Sequence, residues 1–102
     1  MYSTRELISN NTSEAIEVVL EPWGMPLSLG PGQEFELIAE SPHPGKLEIE
    51  RDVFITAYAW SGATLKVYAN GVLVQSQAIA VPEGPSGVSL RKFMASVGLN
   101  KV

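Results

Sequence analysis

The stretch Thr64-Leu65-Lys66-Val67-Tyr68-Ala69-Asn70-Gly71-Val72-Leu73-Val74-Gln75-Ser76-Gln77-Ala78-Ile79 decides the fold. Asn70-Gly71 at its centre is the strongest short hairpin signal a sequence carries, because both central residues of a type I′ turn need positive φ. The spacing predicts strands over Thr64–Ala69 and Val72–Ile79, with Ala69 opposite Val72, Tyr68 opposite Leu73 and Val67 opposite Val74. A chain that reverses within two residues pairs antiparallel.

Period-two alternation continues upstream. Ile16, Val18 and Leu20 alternate with Glu17, Val19 and Glu21, and Phe35, Leu37 and Ala39 with Glu34, Glu36, Ile38 and Glu40. Leu47 and Ile49 alternate with Lys46, Glu48 and Glu50. Such alternation marks strands with one buried and one solvated face. Val53–Trp60 is apolar on both faces and is expected to be central and covered on both sides. Asn10–Ser13, Gly30-Pro31-Gly32, Ser41–Gly45 and Ser61-Gly62 punctuate the runs with turn chemistry. The expectation is about eight strands: Thr4–Ser9, Glu14–Glu21, Pro26–Leu29, Gln33–Glu40, Lys46–Arg51, Val53–Trp60, Thr64–Ala69 and Val72–Ile79.

Short strands at this spacing predict an all-β antiparallel β-sandwich, Ig-like or cupredoxin-like in general form. It fills residues 1–81. Residues 82–102 read as a separate element. Pro82–Gly87 breaks the pattern, and Leu90, Phe93, Met94 and Val97 then fall at i, i+3, i+4 and i+7, one stripe of a short C-terminal α-helix. A helix of about nine residues does not hold alone in water, so its stripe must find a surface, on its own body or on a second copy.

Charge separates the same two parts. Of 11 acids and 7 bases, all the acids and four bases (Arg5, Lys46, Arg51, Lys66) lie at or before Glu83, a balance of −7. Arg91, Lys92 and Lys101 follow with no acid, a balance of +3. The net charge of −4 disfavours nucleic acid, whose phosphates are met by clustered Lys and Arg. With no cysteine and one histidine, thiolate metal centres, disulfides and multi-imidazole sites are excluded. No metal or other cofactor is expected. MYSTRELISN does not read as a secretory leader, and no apolar run is long enough for a membrane helix, so a cytoplasmic location is the expectation.

If successive strands reverse direction, alternate loops share an end of the body. One end then collects Pro22–Met25 with Trp23, Ser41–Gly45 with His43, and Trp60–Gly62, and the C-terminal segment leaves there; the other collects Asn10–Ser13, Gly30–Gly32, Arg51-Asp52 and Asn70-Gly71. Trp23, in Glu21-Pro22-Trp23-Gly24-Met25-Pro26, reads first as a cap of the core and second as an aromatic contact for a ligand. Trp60 reads as core, and His43, between two prolines, as a turn residue. Glu17, Glu21, Glu34, Glu36, Glu40, Glu48 and Glu50 read as a solvated sheet face. Asn10-Asn11-Thr12-Ser13 holds two overlapping glycosylation sequons, read here as turn residues.

The order Asn10-Asn11-Thr12, Glu21-Pro22-Trp23-Gly24, Leu29-Gly30-Pro31-Gly32 resembles small uncharacterised bacterial β-domain proteins, over about Asn10 to Gln75. No activity, ligand or catalytic residue attaches to that family. The sequence leads to a non-enzymatic interaction or structural module, self-associating as a homodimer through Leu90, Phe93, Met94 and Val97. The alternative is a small-ligand or carbohydrate-binding module using Trp23, His43 and Trp60. An enzyme built on His43 and a glutamate is a third reading, with no recognisable constellation behind it.

Overall fold

The computed structural model describes residues 1–77 together with 80 and 81. The C-terminal helix and its residues Leu90, Phe93, Met94 and Val97 lie outside the described residues.

Among the described residues eight strands form: β1 (Tyr2–Ser9), β2 (Ile16–Glu21), β3 (Met25–Leu29), β4 (Glu34–Ser41), β5 (Glu48–Arg51), β6 (Ile55–Tyr58), β7 (Thr64–Ala69) and β8 (Val72–Gln77). They make two four-stranded sheets, ordered β1-β4-β7-β8 and β3-β2-β6-β5. A single core lies between them. The first sheet supplies Ile8, Leu37 and Val67, and the second Val18, Leu20 and Ala57, all fully buried. Each of these valine, leucine and isoleucine side chains contributes about 1.5–3 kcal/mol of burial free energy, and the Ala57 methyl less. Alternation is the cause: in β4 Phe35, Leu37 and Ala39 are buried, while Glu34 and Glu40 on the opposite face are exposed. On that outward face Arg5 of β1 forms an ion pair with Glu36 of β4.

The first sheet is antiparallel throughout. The second is mixed, because β2 and β6 run parallel, where an antiparallel sandwich was expected. The reason is arithmetical. Successive strands reverse, so an odd-numbered and an even-numbered strand pair antiparallel, whereas β2 and β6 are separated by an even number of reversals. β3 is a true strand. It carries Pro26 at the sheet edge, where a missing N–H costs no ladder bond on the open side.

Two other expectations are corrected. The hairpin turns at Asn70 (φ 52°) and Gly71 (φ 76°), and Ala69 faces Val72 and Tyr68 faces Leu73 as the turn dictates. Val67, however, faces Gln75 and not Val74. A β-bulge at Val74 inserts one residue, which hairpin periodicity alone does not foresee. The central apolar strand is also shorter than its apolar run. Val53 is 92% exposed in the β5–β6 turn, and the fully covered stretch begins at Ile55 and runs through Trp60.

Candidate functional site

The end of the body carrying both tryptophans is built from three chain segments. Glu21-Pro22, joined by a cis peptide bond, begins the turn between β2 and β3. The Ala59 N–H donates to the Glu21 carbonyl (3.1 Å), which fixes this turn beside the exit of β6, one residue before Trp60. Trp23 is half-buried and packs against the core.

Trp60 is 8% exposed. Its indole N–H donates to the carbonyl of His43 (2.7 Å), so the loop between β4 and β5 is tied to the end of β6. Ser41, fully buried, makes a second tie: its hydroxyl donates to the Ser61 carbonyl (2.6 Å) and accepts the His43 N–H (3.0 Å). Trp60 and Ser41 therefore hold the His43 backbone from both sides. Val81 closes the same end, accepting from the Gly62 N–H (2.8 Å) and donating to the Ala63 carbonyl (2.9 Å). Of the three residues singled out in the sequence, His43 and Trp60 meet directly, and Trp23 lies in the turn bonded to the residue before Trp60.

Sequence reasoning placed the Ser41–Gly45 loop and the exit of the C-terminal segment at this end, but not the hydrogen bonds that Ser41 and Val81 make there. Ser41 is the last residue of β4 and continues the inward alternation of Phe35, Leu37 and Ala39, which was the available signal.

Among the described residues at this end, Glu21 carries a carboxyl whose surroundings shift its protonation. Burial pushes its pKa up from the ordinary glutamate value, and a hydrogen bond from the Gly24 backbone partly opposes this. A carboxyl raised in the folded state favours folding when protonated. That contribution is present below the ordinary glutamate pKa and is lost as pH rises through the raised one. Glu21→Gln is expected to flatten this part of the stability profile, gaining on the native chain as pH rises across that window. Urea midpoints at several pH values read the difference. Parallel profiles for the two proteins would contradict it.

The opposite end is organised around Asn10, which is fully buried. Its amide donates to the carbonyls of Glu14 (2.8 Å) and Leu29 (2.9 Å), and its Oδ1 accepts from the backbone N–H (2.9 Å) and hydroxyl (2.6 Å) of Thr12. Its backbone bonds both Gln33 and Gly32. A shallow hollow elsewhere, on the β2–β3 side of the second sheet, is lined by Ala15, Glu17, Pro26, Leu27 and Ser28. Among the described residues no group of three or more His, Asp or Glu side chains could hold a metal ion, and no helix is long and apolar enough to cross a membrane.

No family model matches the chain, no curated protein is significantly similar to it, and no solved structure matches it.

Proposed function

We propose that the protein is a non-enzymatic interaction module that self-associates as a homodimer, and that edge strand β8 is the contact. The two-sheet layout supports reading the body as a sandwich of Ig-like or cupredoxin-like general form. The observation that carries the reading is a contrast among the four edge strands. β1 contains Arg5 and Glu6, β3 contains Pro26, and β5 is four residues long with Glu48, Glu50 and Arg51. Short length, charge, proline and β-bulges are the usual means of blocking edge-to-edge pairing. β8 reads Val72-Leu73-Val74-Gln75-Ser76-Gln77 and has, of these, only the bulge at Val74, with neither charge nor proline. Val72 is 63% exposed, Leu73 47% and Val74 46%.

The bulge at Val74 turns this edge without charging it, and Val72, Leu73 and Val74 all stay exposed. A two-fold contact sets the same patch against itself. An uncharged strand meets no like-charge repulsion there. On this reading the contact is β8, and the stripe Leu90, Phe93, Met94 and Val97 is left for another surface.

Sedimentation of the full chain and of Leu73→Lys/Val74→Glu tests the reading. The native chain is expected to be a dimer at high micromolar concentration and the double variant a monomer with an unchanged folded spectrum. A native chain that is monomeric at that concentration would overturn it.

A further inference from the structure

The outward face of the second sheet is more buried than an outward face should be. Two cross-strand rows define it: Val19, Thr56 and Glu50, then Glu21, Tyr58 and Glu48. Their alternation partners Val18, Leu20, Ile55 and Ala57 point into the core, so these six point away from it. Yet Tyr58 is 1% exposed and Thr56 7%, and Val19, Glu21, Glu48 and Glu50 are half-buried. On the same face Glu17, Pro26 and Ser28, toward the β3 edge, are exposed. The cover is therefore local, centred on Tyr58, whose hydroxyl donates to Glu50 (3.0 Å). The four strands of the first sheet lie on the other side, across the core, and none of the described strands lies on this face.

We propose that this face is a docking surface and that its occupant is the chain's own C-terminal segment, residues 82–102. The segment starts at the right place: Val81 is bonded to Gly62 and Ala63 at the end where β6 leaves Tyr58. It has the right chemistry. Glu21, Glu48 and Glu50 lie in register around Tyr58 and make this face acidic, the complement of a basic segment. Arg91, Lys92 and Lys101 supply charge with no acid among them, and Leu90, Phe93, Met94 and Val97 supply an apolar stripe for Tyr58, Thr56 and Val19. The six residues Pro82–Gly87 extend to about 20 Å, enough to turn from the end of the body onto this face.

The absence of native cysteine allows a direct test on the full chain. Glu50→Cys is combined in turn with Leu90→Cys, Phe93→Cys, Met94→Cys and Val97→Cys, and each protein is oxidised mildly. At least one pair is expected to close an intramolecular disulfide, seen as a faster-migrating monomer that reverts on reduction. Cross-links of dimer size only would assign the face to a second copy's segment and overturn the proposal, as would no cross-link in any pair. A second measurement needs no cysteine. In Phe93→Asp, nitration of Tyr58 is expected to rise severalfold while that of Tyr68, half-exposed on the other sheet, stays constant. An unchanged Tyr58 rate in a folded variant would overturn the proposal. Neither result bears on association through β8.

Discussion

Asn10→Ala is expected to lower folding stability by about 3 kcal/mol, because four hydrogen bonds of a fully buried side chain disappear together. For a domain of this size that is roughly 15 °C in Tm. The loss has two parts. The Leu29 carbonyl at the end of β3 loses a donor in a buried setting, and the Thr12 N–H and hydroxyl lose their shared acceptor. Both sit where the β1–β2 turn meets the β3–β4 turn, so the two sheets lose one of their ties. Asn10→Asp sharpens the test. A carboxylate keeps the two bonds it accepts from Thr12 but donates none, and it sets negative oxygen against the carbonyls of Glu14 and Leu29. At neutral pH it is expected to be at least as damaging as alanine. Its pKa would be raised, so part of the stability returns as pH falls. Thermal melts followed by circular dichroism, at neutral and acid pH, read both effects. A Tm within two or three degrees of native, for an Asn10→Ala chain, would mean that the turn rebuilds these bonds with water.

The same residue shows what a sequence can and cannot carry. Asn10-Asn11-Thr12-Ser13 reads as a turn and is one: the Asn10 side chain accepts from Thr12 two residues on, as asparagine does in turns. Its complete burial is not written locally. It comes from the Gly30–Gln33 turn lying over it, a contact between segments about twenty residues apart. All eight strands were legible, because alternation and glycine-proline punctuation are local signals. So was the sorting of loops to two ends, which follows from strand reversal alone. Sheet membership was not legible. Nothing in β2 indicates that its inner neighbour is β6, because that pairing is set by which edge each strand finds after crossing between sheets. The bulge at Val74 was invisible for a similar reason: it shifts register by one residue without disturbing composition. Of the candidate site, Trp60 was correctly expected in the core, but its bond to the His43 carbonyl depends on a backbone atom that no side-chain pattern reports. The burial of Tyr58 was half legible. The apolar run promised a strand covered on both faces, and the described strands cover only one of them.

Gly45→Ala is the second large effect expected. A Cβ at this position would lie 2.6 Å from Nε1 of Trp60 and nearer still to Cδ1 and Cγ, closer than real Cβ atoms come. The ring has little room to yield, since it is buried in the core cluster and its N–H is held by the His43 carbonyl two residues before Gly45. The loop must move instead, and moving it pulls on the same hydrogen bond. The expected cost is about 2–3 kcal/mol, the upper range for inserting a methyl group into a packed site. Trp60→Phe in the native background removes the donor and part of the ring, at about 1–2 kcal/mol. The decisive measurement is the combination. If Gly45 is required because the indole lies against it, Gly45→Ala should cost much less once Trp60 is phenylalanine, a coupling of about 1–2 kcal/mol in a double-mutant cycle. If the two costs simply add, the glycine is needed for its backbone and not for the ring. Gly45 has no positive φ among the backbone angles of this chain, so steric contact is the cause that the coupling should find.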